Sequence, residues 1–319
     1  MAVPRAAAVL LEIPPLPVTR FERHDIALEA MAGYAAALCE RASRRRSQGL
    51  SVTDQDQPEE AFCLFPSSPL RPPLAIVGGM GPLAGAAAFR RACARFRNSR
   101  ALVLYQACSI PDRSTVILNG GISNGDAADT ALCRGLAARL AGAVRWSACL
   151  ASPAGRPIRC VLACNSAHYF WRWLEDELRT DDVQMVSLVE CSVEALHSQP
   201  CKNVLLLATE GARLGRVFST PFRNSGIAFE EPSPTLSHLL MSAIFEGIKS
   251  LDRTRAVELG NQFFAAILET GRDFDGILAG CTEIPLLIDL LRTLGSRRVA
   301  SFLARVRIVD PLEEALCRA

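Results

Sequence analysis

No run of about 18 apolar residues occurs in the 319-residue chain, so no stretch reads as a membrane-spanning helix. Histidine is scarce: His24, His168, His197 and His238 are the only four, and no two have metal-ligand spacing. The twelve cysteines include no Cys-x-x-Cys pair. Cys160 and Cys164 lack the surrounding Cys and His that would complete a zinc site, so no metal is expected. An excess of either charge is missing too. The 35 Lys plus Arg against 33 Asp plus Glu leave +2, too little for a broad basic surface that grips nucleic acid. Nor does the chain open on a secretory leader of the usual plan. In a long, periodic, Ala- and Leu-rich sequence the cysteines read as reduced thiols, most of them small apolar packers. A cytoplasmic setting is the expectation.

Half of the residues are hydrophobic, enough for a sizeable core. From Leu74 onward the pattern repeats strand, turn and helix: LAIVGG then PLAGAAAFRRACARF, IRCVLACN then AHYFWRWLEDELR, FDGILAGC then PLLIDLLRTL. This is α/β with a mostly parallel sheet. The echo between VLACNS and ILAGCTE, each followed by a helix, suggests two similar lobes facing each other. Residues 1–73 differ in character. Asp25–Arg46 reads as one helix, acidic at its start and basic at its end. The polar, proline-bearing stretches SQGLSVTDQDQPEE and FPSSPLRPP read as linker. The early arginines are compatible with organelle targeting, while Glu12, Glu22 and Asp25 count against it; the alternative is an accessory helix that docks on the body or on a second subunit.

Three features could carry chemistry. Gly78-Gly79-Met80-Gly81-Pro82 follows a strand and opens a helix, loosely like a dinucleotide fingerprint. No acidic residue lies between Leu74 and Pro111 to hold a ribose, so a turn presenting amides to a small anion fits better. Second, Cys164 and Cys281 each close a strand and open a helix. That is where open α/β sheets bind ligands and where a helix dipole favours a thiolate. Inverting a stereocentre at Cα needs one group to take the proton from one face and another to deliver one to the opposite face, and two thiols can do this without a cofactor. His168, four residues after Cys164, leaves a Cys-His hydrolase open. Third, Arg113 follows a strand and a Pro-containing turn, placed to grip a carboxylate by paired hydrogen bonds.

The motifs GGMGPLA (78–84), IPDRS (110–114), CNSAHYF (164–170), LLLATEG (205–211) and GCTEIPLL (280–287) resemble the aspartate/glutamate racemase superfamily, on its aspartate racemase side. The DSGxGG and GCTHYP motifs of the glutamate racemase branch are absent. The resemblance implies two pseudo-symmetric α/β lobes, each a mostly parallel sheet flanked by helices, with the active site in the cleft between them. The expected division is an N-terminal extension over 1–73, a first lobe over 74–182 with 300–319, and a second lobe over 183–299. The resemblance further implies cofactor independence, an amino-acid substrate, commonly a homodimer, and Cys164 and Cys281 as the catalytic thiols. Arg113 would bind substrate carboxylate, with Asn165, Ser166, Thr209, Thr282 and Glu283 as further matching residues; Met80 and Gln106 are also expected to bind substrate.

Departures from the family pattern bear on the substrate. Ser166 stands where a threonine is usual, Ala212 where a second threonine is, and Gln106 and Cys108 are unusual before IPDR. Arg213 and Arg216 are candidates for the side-chain carboxylate. The expected activity is aspartate racemisation, with glutamate or a broader set as the alternative. A cysteine-dependent lyase or isomerase of a small diacid and a degenerate binding protein are the further rivals.

Overall fold

The computed structural model describes residues 16–123, 126–127 and 130–319. The first fifteen residues, including Glu12 of the targeting argument, lie outside the described residues. The chain is α/β, with two largely parallel sheets flanked by helices. In chain order the strands are β1 (Val18–Phe21), β2 (Glu60–Leu64), β3 (Arg71–Gly78), β4 (Arg100–Gln106), the short hairpin β5 (Ile122–Ser123) and β6 (Asp126–Ala127), β7 (Ile158–Leu162), β8 (Val183–Val186), β9 (Val204–Ala208), β10 (Phe229–Glu230), β11 (Gly276–Gly280) and β12 (Arg307–Val309). The larger sheet runs β1-β2-β4-β3-β7-β8 and the smaller β10-β9-β11-β12.

Setting aside β1 and β2, the two sheets share one plan. Strands β3, β4, β7 and β8 stand in the order second, first, third, fourth, and so do β9, β10, β11 and β12, all parallel. The reversal falls between first and third strands, so a crevice opens beyond the carboxyl ends of β3 and β7, and again beyond β9 and β11. The apolar runs that form β3, β4, β7, β9 and β11 are largely buried on both faces. Leu74 and Ile76 face the core under the helices His24–Ser47 and Pro82–Phe96. Ala75 and Val77 face the core shared with Ala131–Ala151. That second core continues through Leu206, Phe218, Phe222 and Leu278 into the smaller sheet, which joins the lobes. The far face of the smaller sheet packs Leu205, Leu207 and Ile277 on Phe263, Phe264 and Leu287. No helix among the described residues is long and apolar enough to cross a membrane.

The expected domain limits need correction in three places. Over the described residues 16–73 the extension is a helix docked on the body, in keeping with the accessory-helix alternative, and its linker contains a sheet strand. Its helix His24–Ser47 buries Ala27, Met31, Tyr34, Leu38 and Ala42, and β2 pairs antiparallel with β4 along its whole length. The buried run Ala61–Leu64 was short enough to be hidden by its polar and proline-bearing flanks, yet it covers what would otherwise be an open sheet edge. Strand β8, expected in the second lobe, pairs with β7 in the first sheet. Within 300–319, β12 pairs with β11 in the smaller sheet. Asp310, just beyond it, takes a 2.5 Å hydrogen bond from Arg91 on the helix after β3, which fastens this end of the chain to the first lobe.

Candidate active site

Third strands β7 and β11 end just before Cys164 and at Cys281, and both thiols are almost completely buried, each 5% exposed. Cys164 precedes a 3-10 segment, Asn165–Phe170, that leads into the helix Trp171–Leu178. Cys281 precedes a turn and the helix Ile284–Leu294, with a proline in its first turn. The two strand ends meet. The Asn165 amide nitrogen donates to the Ala279 carbonyl at 3.4 Å. Thr209, at the end of β9, receives the Ser114 hydroxyl at 3.0 Å and lies 3.4 Å from that of Ser166, while its own oxygen caps the next helix through the Ala212 amide. Ala212 is buried within that turn, where the missing hydroxyl leaves the cap intact.

Arg113 is 2% exposed. Its guanidinium donates to the carbonyls of Met80 at 2.8 Å, Pro111 at 2.9 Å and Ile110 at 3.3 Å. Burial disfavours its charge, yet Cys164, Asp112 and Asp54 around it hold its pKa above the usual arginine value. The Arg113 cation therefore acts electrostatically on the Cys164 side. Cys281 has the opposite neighbour: its thiol donates to Glu283 at 3.0 Å, and the Thr282 hydroxyl donates to the same carboxylate oxygen at 3.1 Å. Burial and then the Glu283 carboxylate push the Cys281 thiol well above the usual cysteine range. The other Glu283 oxygen and the Asn165 amide oxygen are buried without a partner.

Lys249 is the site residue that the sequence reading missed. It ends a π-helical segment, Ala243–Lys249, that continues the helix Pro234–Ser242, a widening often found at functional sites. Its ammonium lies 2.7 Å from an Asp54 carboxylate oxygen and 3.3 Å from the Met80 carbonyl. Burial opposes its charge, but Asp54 and Glu283 raise its pKa overall. Met80 thus receives both cations on one carbonyl, and they connect it to Cys164 through Arg113 and toward Cys281 through Lys249 and Glu283. A signal was available: Lys249 is one of only two lysines in the chain.

Other expected residues have different placements. Gln106 is buried, and its amide nitrogen donates to the Pro82 carbonyl at 2.8 Å. Its side chain packs against Gly78 and Gly85, where any Cβ would collide with it, so it braces the glycine turn rather than facing the cleft. Gly79 has φ +84 and lies against the Ala107 backbone, a position that only glycine fits. A Cβ on Gly81 would strike the Glu283 carboxylate, which makes this turn one of the points where the lobes touch. Arg216 is exposed, and Arg213 lies beside Glu231. Neither is the buried cation of the cleft. His168 lies 3.1 Å from the Cys164 carbonyl through Nδ1 and accepts the Leu188 amide at 3.0 Å through Nε2. Burial lowers its pKa to about 4. With both ring nitrogens engaged by backbone, it is a neutral brace and not a base for Cys164, which closes the Cys-His hydrolase option.

Two parallel α/β units of matching strand order, each with a buried thiol just beyond its third strand, define a two-lobed cleft protein with one such cysteine per lobe. Residues 77–318 match the Asp/Glu/hydantoin racemase family. The chain belongs to this family, a class of racemase isomerases. Its fold is similar to that of the Picrophilus torridus aspartate racemase, with a TM-score of 0.58 at 18% identity over 78% of this chain and 92% of that one. An uncharacterized protein in the pnlA 3' region of Pectobacterium carotovorum subsp. carotovorum is 26% identical over 117 residues, 37% of this chain and 76% of that protein.

Proposed function

We propose that the protein is a cofactor-independent racemase of an acidic amino acid, with aspartate as the first substrate to test. The observation that carries this reading is the charge layout of the cleft: two buried cations, Arg113 and Lys249, meet on the Met80 carbonyl between two thiols of unlike environment. Aspartate carries two carboxylates, and the cleft offers one cation for each. Arg113 serves the α-carboxylate end beside Cys164, and Lys249 serves the side-chain carboxylate.

The reaction follows from the same layout. Cys164, near the Arg113 guanidinium, takes the α-proton of one enantiomer. The electron pair left on Cα spreads into the carboxylate, held by the cations. The Cys281 thiol, which its burial and Glu283 keep protonated, gives its proton to the opposite face. The product leaves Cys164 as thiol and Cys281 as thiolate, the state required for the reverse direction. The buried Asn165 and Glu283 oxygens without partners are acceptors for the substrate ammonium.

The test is incubation with L-aspartate in D₂O without pyridoxal phosphate, following the α-proton by NMR and the enantiomers by chiral chromatography. Loss of the α-proton with appearance of D-aspartate is expected. Conversion of a diacid with no hydrogen exchange into aspartate would instead favour a lyase or isomerase.

A further inference from the structure

The segment Ser51–Gln57, between the long N-terminal helix and β2, carries an aspartate into the cleft. Asp54 pairs with Lys249 at 2.7 Å, their side chains 12% and 8% exposed, and its charge also acts on Arg113. Its second oxygen is buried with no partner. The segment and Lys249, Arg113, Phe245 and Met241 wall a cavity of about 420 Å³, while both thiols stay almost closed off.

Asp54 is not what holds this segment down. The Thr53 amide and hydroxyl donate to Asp56 at 2.8 and 2.9 Å. Arg45 holds Asp56 at 2.9 Å and the Ser51 carbonyl at 2.9 Å, and Arg41 holds Gln57 at 3.1 Å. The helix bearing these arginines is tied by Arg46 to the carbonyls of Ser250 and Leu251, next to Lys249. Arg41, Arg45, Arg46 and Asp56 do not line the cavity, whereas Asp54 does, with one oxygen left unsatisfied, an arrangement that costs stability. With it in place, the cations Arg113 and Lys249 meet three carboxylates, Asp54, Asp112 and Glu283. A dicarboxylate entering this site finds its second cation taken.

We propose that Asp54 is a built-in occupant of the side-chain-carboxylate position, an internal competitor that an acidic substrate must displace from Lys249. The proposal rests on the reading of Lys249 given above. The segment thereby sets selectivity. Ligands with a second carboxylate are held back by the fraction of time that Asp54 occupies Lys249, and ligands with one carboxylate are not.

The test uses succinate, a dicarboxylate without an amine, and butyrate, its one-carboxylate counterpart, in calorimetry on the full chain. Asp54→Asn should tighten succinate by about tenfold or more and leave butyrate within about twofold. Asp56→Ala, which loosens the segment from outside while keeping Asp54, should shift succinate in the same direction. In the unaltered protein, succinate should speed hydrogen exchange of the amides over 52–57. Succinate binding that needs Lys249 (lost in Lys249→Met) but is equal or weaker in Asp54→Asn would overturn the competitor role and leave the carboxylate reading standing. Binding indifferent to Lys249, or none, would overturn both.

Discussion

The two lobes place the same strand order around their cysteines but surround them with opposite charge. Two residues after Cys164 stands Ser166, whose hydroxyl lies near Thr209; two residues after Cys281 stands Glu283, which accepts the Cys281 thiol. Four residues after Cys164 stands His168, bound back to the strand end, where the second lobe has Pro285. Equivalent backbone positions have thus been given a guanidinium neighbour in one lobe and a carboxylate neighbour in the other. Two identical thiols would compete to hold the same charge. In the proposed reaction, unlike surroundings let one begin as base while the other begins as acid.

The comparison breaks most severely when either thiol is removed. Cys164→Ser and Cys281→Ser should each lower racemisation by about a thousandfold or more, measured as D-aspartate formed from L-aspartate. A drop confined to one of them would mean that the lobes are not partners in one reaction. Next in size is the point of contact between the lobes. Gly81→Ala pushes a methyl into Glu283 and should cost about a hundredfold in kcat/KM through displaced reacting groups, with the fold retained by circular dichroism.

His168 sharpens the contrast through stability. Its folded pKa is lowered to about 4 by burial, against about 6.5 when unfolded. Above the unfolded value both states are neutral and the full stability is present. As the pH falls toward 4 the unfolded state alone takes the proton, so stability declines, by on the order of 3 kcal/mol in all. Urea midpoints between pH 7 and 4 should show this slope, and His168→Gln should flatten it. The smallest effect makes the second lobe resemble the first. Glu283→Gln removes a carboxylate that raises the Cys281 thiol. In a Cys164→Ser background, the pH midpoint for iodoacetamide labelling of Cys281 should then fall. An unmoved midpoint would assign the shift to burial alone.

The thiols and their strands were legible because a buried parallel strand writes itself as an unbroken apolar run, and both runs end on cysteine. Arg113 and Ser166 followed from the strand ends, and Thr209 from the family resemblance. Lys249 and Asp54 were not legible, since their pairing joins positions 195 residues apart, and a π-helical segment leaves no periodic mark. Gln106 was read as a ligand residue because the sequence shows its polarity and not its packing; the structure spends its amide on the Pro82 carbonyl. Strand β2 was lost for the opposite reason, four buried residues being too few to outweigh polar flanks.

The most direct test of the paired but unlike thiols is α-proton exchange by Cys281→Ser in D₂O, started separately from L- and from D-aspartate. With Cys164 alone, one enantiomer should lose its α-proton and regain deuterium on the same face, with no inversion, while the other stays unexchanged. Exchange of both enantiomers, or inversion, would contradict one thiol per face.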